Sequence, residues 1–183
     1  MGNTLNTQKS TVRLAKMGLL VAISIVLVYF IHFPIFPAVP FLEYDPADIS
    51  IMIGTFAFGP LAGLILTIVT AVLQGLTVSS ASGIYGIIMH IIATGTFVLV
   101  AGNIYRIKKT RKGAVLALAL GVVAWTVVMF FANLVITPAF MTVPRPVVLD
   151  LMPFILGFNV LKAGINSIVT FLLYKRISGF LHK

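Results

Sequence analysis

Long uncharged apolar stretches, separated by short charged or proline-rich ones, set the pattern of this chain. Residues 17–33 and 49–105 carry no formal charge, and further apolar runs fill 113–136 and 151–174, the last interrupted only at Lys162. Uncharged runs of about 18 residues or more read as transmembrane helices. The 49–105 stretch is too long for one helix and suits three. Gly59-Pro60 marks one turn within it and Ser79-Ser80-Ala81-Ser82-Gly83 another. The proline-rich His32-Phe33-Pro34-Ile35-Phe36-Pro37 stops the first helix. The pattern predicts an all-α integral membrane protein with six transmembrane helices at about 14–33, 47–58, 60–77, 84–105, 113–136 and 151–174. The second is short enough to be tilted or partly buried. The whole chain, 1–183, reads as a single membrane domain.

Composition supports this class. The chain is 60% hydrophobic and 9% charged, against about 25% charged in soluble domains. Its net charge of +9 would suggest a nucleic-acid partner in a soluble protein, but in a membrane protein position matters before sign. Of the 13 basic residues, 11 fall in three clusters: Lys9, Arg13 and Lys16; Arg106, Lys108, Lys109, Arg111 and Lys112; Lys175, Arg176 and Lys183. The positive-inside rule puts all three in the cytoplasm, so both termini are expected there. No nucleic-acid partner is implied. The four acids, Glu43, Asp45, Asp48 and Asp150, fall between those clusters, on the expected outer side. Two external loops follow, about 38–47 and 137–150. The first apolar run is longer than a signal-peptide core and lacks a clear small-x-small cleavage site, so it reads as a retained span of an inner-membrane protein. With no cysteine, no disulfide, thiolate metal site or thiol nucleophile is available.

The chemistry concentrates in the last two expected spans. Lys162 sits in the apolar run 154–166, where an ammonium costs roughly 2.5–3.5 kcal/mol on insertion scales, so it needs a partner and a sheltered or watery surrounding. Asn159 lies one helical turn earlier on the same face, and Asn133 and Asn166 add two more amides. Such groups either bond helices together, at about 0.6 kcal/mol per bond, or line a binding site. An amide donates and accepts while an ammonium offers three donors, which matches a polar heteroaromatic edge. Four polar groups here favour the binding site.

The other candidates divide between function and packing. For the acids, solvation and helix capping are the simpler reading, with Asp48 as N-cap of the second span. Leu42 and Tyr44 beside them would suit a ligand lid. With no acid expected inside the membrane, a proton-coupled carrier is disfavoured, and no metal is expected at His90 alone. No G-x-x-x-x-G-K-[ST] phosphate loop occurs in the sequence. Ala15, Gly18 and Ala22 form a small-residue ridge suited either to packing within the bundle or to docking a partner helix. Two alternatives stay open: an intramembrane enzyme using His90 with Ser82 or Asn133, and an autonomous small-solute carrier.

Three segments resemble a known family: Phe41-Leu42-Glu43-Tyr44-Asp45-Pro46-Ala47-Asp48, Gly54-x-x-Ala57-Phe58-Gly59-Pro60-Leu61-Ala62-Gly63, and Phe158-Asn159-x-x-Lys162. They look like the riboflavin-specific substrate-binding component of energy-coupling factor (ECF) vitamin transporters, and the likeness covers nearly the whole chain. It implies a non-enzymatic subunit that captures riboflavin from outside, as transported ligand rather than cofactor. Its partners would be a transmembrane coupling subunit and two cytoplasmic ATPases. By that resemblance Asn133, Asn159 and Lys162 bind the flavin, Leu42, Tyr44 and Tyr85 wall or cover it, and Ala15, Gly18 and Ala22 face the coupling subunit. The family's small-residue pair is alanine at both ends, whereas Gly18 takes the first place here.

Overall fold

The computed structural model describes the backbone of residues 2–181 and the side chains of residues 10–174 and 176. Six α-helices run in order: α1 (Gly2–Phe30), α2 (Ala47–Phe58), α3 (Pro60–Leu76), α4 (Gly83–Ile107), α5 (Arg111–Met141) and α6 (Arg145–Leu181). A 3-10 turn, Ser80–Ser82, leads into α4. Four stretches, Ser10–Phe30, Ser80–Ile107, Arg111–Met141 and Arg145–Tyr174, are long and apolar enough to cross a membrane. Helices α2 and α3, at 12 and 17 residues, rise only about 18 and 26 Å at 1.5 Å per residue.

Helix α2 is the centre of the packing. Ala47 to Phe56 are buried all round, as expected of a helix that is apolar on every face and enclosed by others. Its neighbours are α1, α3, α4 and α6. The lipid-facing surface of the bundle carries exposed Leu14, Val26, Leu61, Val123 and Leu172, whereas Asp48, Thr55, Thr94, Asn133, Asn159 and Asn166 are buried. With lipid as the solvent, apolar side chains face out and polar ones must find partners inside.

The Gly59-Pro60-Leu61-Ala62-Gly63 motif brings three helices together. Gly59 adopts φ 94° and ψ 170°, a region essentially restricted to glycine, and Pro60 opens α3 where its missing N–H has no helical partner to lose. Thr55 of α2 then fits between Gly63 of α3 and Gly102 of α4. A Cβ on Gly63 would collide with the Thr55 hydroxyl, and one on Gly102 would lie 2.8 Å from its methyl.

The two loops expected on the outer side differ from the sequence expectation. Helix α1 ends at Phe30, and a two-residue antiparallel pairing joins β1 (Phe33–Pro34) to β2 (Glu43–Tyr44), with Phe33 opposite Tyr44. The loop between them packs its buried Val39 against Val148, Met152 and Ile155 at the N-terminal end of α6. The loop expected over 137–150 shrinks to three residues, because α5 continues through Pro138 and α6 starts at Arg145 and continues through Pro153. A proline removes one helical hydrogen bond, a loss that neighbouring helices absorb in membrane proteins. Pro138 also lies in the last turn of α5, which Thr142 closes in the left-handed conformation at φ 55°. Asp48 is not an N-cap: that position is Pro46, and Asp48 lies inside the first turn of α2 without a capping bond.

Gly63→Val is expected to cost about 1–3 kcal/mol through overpacking against Thr55, read as a lower midpoint in thermal unfolding of the detergent-solubilised chain.

Candidate ligand-binding site

Lys162 has two carboxylate partners. One face of α6 presents Ile155, Asn159, Lys162 and Asn166 at intervals of three and four residues. Lys162 Nζ lies 2.7 Å from Asp45 Oδ2 and 3.9 Å from Asp48 Oδ2. The acids that sequence patterning assigned to solvation and capping are therefore interior: Asp45 is 4% exposed and Asp48 is fully buried. Asp48 also lies within the first turn of α2, enclosed by the bundle rather than facing solvent.

The remaining lone pairs are filled around them. Asn166 Nδ2 donates to Asp48 Oδ2 and to the Asp45 carbonyl, each at 3.2 Å. Thr94 donates to Asp48 Oδ1 at 2.7 Å, and His90 Nε2 lies 3.3 Å from that same oxygen. Asp45 Oδ1 accepts from the Ala47 N–H at 3.1 Å, which holds the turn entering α2. Tyr44 joins the same cluster. Its hydroxyl donates to Asn166 Oδ1 at 2.9 Å, and burial, followed by the Asp45 charge, pushes the phenol above its ordinary pKa and keeps it a donor.

Beside this cluster is a cleft under the first loop. One lobe, about 150 Å³, is bounded by Gln74, His90, Trp125, Phe158, Asn159 and Lys162. A second, about 90 Å³, is bounded by Tyr85, Asn133, Ile136, Thr137 and Phe140. Leu42, Phe41 and Met129 belong to both walls, so the lobes adjoin. Of the residues singled out in the sequence, Leu42, Tyr85, Asn133, Asn159 and Lys162 line this cleft.

The two asparagines are held in defined orientations. Asn159 Oδ1 accepts from the Trp125 indole at 2.8 Å while its Nδ2 donates to the Ile155 carbonyl at 2.8 Å. An indole only donates and a carbonyl only accepts, so the amide cannot be flipped, and one N–H and one lone pair stay available. Asn133 donates to the Met129 carbonyl at 2.7 Å and accepts from Thr137 at 2.8 Å. Gln74 Nε2 donates to Ser79 at 3.2 Å and faces Asp45 at 3.5 Å, leaving its buried Oε1 with no donor. Sequence reading missed Asp45, Asp48, Gln74, Trp125 and Thr94 as members of the site. Its one usable signal was the need of Lys162 for an anion, with three acids gathered in 43–48.

Two other expectations find places. Ser82 and His90 both line the cleft, but His90 meets Asp48, and no Ser82–His90 hydrogen bond occurs among the described residues. Ala15, Gly18 and Ala22 lie exposed on the outer face of α1, and a Cβ on Gly18 would meet nothing within 4 Å. The ridge is therefore not spent on packing within the chain; Met17, Leu20, Ser24 and Val28 point inward instead.

Comparison with known proteins matches residues 12–174 to the family described as ECF transporter, substrate-specific component. The riboflavin transporter RibU of Staphylococcus aureus (strain TCH60) is 32% identical over 98% of this chain and 96% of its own length. The riboflavin transporter FmnP of Bacillus subtilis (strain 168) is 28% identical over 93% of this chain and 94% of its own. A solved structure described as the S component of a bacterial ECF transporter superposes with a TM-score of 0.81 at 30% identity, covering 95% of this chain and 99% of that one. The sequence match and the shared fold agree, and the chain belongs to the substrate-specific components of ECF transporters.

Proposed function

We propose that this multi-pass cell-membrane protein captures riboflavin from outside, binds it in the cleft beneath the first loop, and delivers it as the substrate-specific subunit of an ECF transporter. The observation that carries the reading is the cleft: aromatic and aliphatic walls with Asn133, Asn159 and Lys162 placed among them. Riboflavin has a dimethylbenzene end, a uracil-like edge and a polyhydroxyl chain, so it calls for apolar walls with a few fixed polar groups. The lobe with Gln74, Asn159 and Lys162 suits polar atoms, and the lobe with Ile136 and Phe140 suits the hydrocarbon end. Relatives named as riboflavin transporters along nearly the whole chain support the same ligand.

In this reading the single membrane domain crosses six times with both termini cytoplasmic. That topology leaves the basic clusters inside and the first loop outside. Energy comes from two ATPases acting through a transmembrane coupling subunit, which docks on Ala15, Gly18 and Ala22. The exposed ridge supports that assignment, since small residues let a partner backbone approach where lipid supplies no hydrophobic drive. Lys162 serves twice. It fastens the first loop to α6 through Asp45, and it presents its remaining N–H groups toward the cleft.

The chain contains one tryptophan, and it lines the cleft. Riboflavin added to the purified chain is expected to quench Trp125 emission and saturate at one equivalent; a silent titration would refute the reading. Lys162→Met is expected to cost about 3–5 kcal/mol by leaving buried carboxylates without their cation. Adding Asp45→Asn and Asp48→Asn should restore much of that stability in thermal unfolding, whereas riboflavin affinity stays reduced by tenfold or more. Gly18→Leu should leave riboflavin titration unchanged while co-purification of the coupling subunit falls at least tenfold. A complex that still forms would remove α1 from the interface.

A further inference from the structure

A second cavity lies on the opposite half of the molecule, between the start of α5 and the end of α6. It is a groove of about 460 Å³ walled by Val115, Leu118 and Val122 from α5 and by Gly164, Ile168 and Leu172 from α6. Ser167 is the one polar side chain on its wall. Val115, Ile168 and Leu172 are exposed on the outer surface, so the groove opens toward lipid. From Val115 to Val122 it extends about 10 Å at 1.5 Å per residue, most of one hydrocarbon leaflet of about 15 Å.

One end of this groove is cationic. Arg111 and Lys112 lie four and three residues before Val115 on α5, and Arg176 lies four after Leu172 on α6. Helical periodicity stacks all three over the groove walls at the membrane surface. They are exposed, and among the described residues none forms an ion pair. The four acids of the chain belong to the first loop, the start of α2 and the start of α6, at the far end of the bundle. The start of α5, capped by Thr110 and free of acids in its first turn, adds the positive end of a helix dipole.

We propose that this groove binds one anionic phospholipid, an acyl chain lying between α5 and α6 and the phosphate held by Arg111, Lys112 and Arg176. Basic pockets between membrane helices on the cytoplasmic side select anionic headgroups in this way. A long apolar trough with a charged rim fits an acyl chain and its headgroup, and the bulky Leu118, Ile168, Phe171 and Leu172 on its walls keep a partner helix backbone from close approach. The proposed topology enters only in naming the cytoplasmic leaflet.

The test is native mass spectrometry of the full chain in mild detergent, titrated with dioleoylphosphatidylglycerol or dioleoylphosphatidylethanolamine. One phosphatidylglycerol should be retained with at least a tenfold preference. R111Q/K112Q/R176Q should abolish the preference, and Gly164→Phe, whose Cβ points into open space, should displace both lipids. Riboflavin titration of each variant reports the fold, and its failure in the parent chain would refute the vitamin reading without touching the lipid result. Equal retention of the two lipids, or undiminished phosphatidylglycerol on the triple variant, would overturn the proposal. So would a Gly164→Phe chain that keeps its lipid but no longer captures the coupling subunit.

Discussion

One ammonium shared by two buried carboxylates joins the first loop, α2 and α6 at one end of the bundle. Each ion removed from water loses several kcal/mol of solvation, and the mutual attraction repays that only when the geometry is good and the remaining lone pairs are filled. Here Lys162 meets Asp45 at 2.7 Å, and the other oxygens take bonds from Asn166, Thr94 and the Ala47 amide. The cluster thereby ties the first loop to α2, α4 and α6 at one point. The loop that roofs the cleft is held both by this network and by Val39 packed against Val148, Met152 and Ile155 of α6.

The rest of the bundle follows from lipid as solvent. Apolar side chains gain nothing by turning inward, so helix contacts rest on close backbone approach and on polar side chains that find partners. Thr55 packed between Gly63 and Gly102 illustrates the first, and the Asn159–Trp125 bond the second. Helix α2, enclosed by four other helices, serves as the buried axis, while the small-residue face of α1 is exposed.

Much of this was legible in the chain. The charge-free runs, the basic clusters and the Gly59-Pro60 turn gave the helices, and an ammonium in an apolar run demanded a partner. Which acid would answer was not legible, because Asp45 lies 117 residues away from Lys162 and acids beside a proline turn ordinarily belong to solvent. The second expected external loop was overextended for a related reason. Pro138, Pro144 and Pro146 read as helix breakers in water, but Pro138 is absorbed in the last turn of α5, and Pro146 is the second residue of α6, where a missing N–H costs nothing. Tyr44, expected over the ligand, spends its hydroxyl on Asn166. Trp125 carried no local signal, since its value to the site lies in fixing an amide on another helix.

Asp45 is carried by the loop, whereas Asp48 belongs to α2 and is pinned by Thr94 and Asn166. Lys162 is therefore held from two elements, at 2.7 Å by Asp45 of the loop and at 3.9 Å by Asp48 of α2. An ammonium with no anion beside it costs roughly 2.5–3.5 kcal/mol in the membrane even on the mildest scale. Asp48 supplies that anion from the core of the bundle, so the neutralisation of Lys162 does not rest on the loop alone.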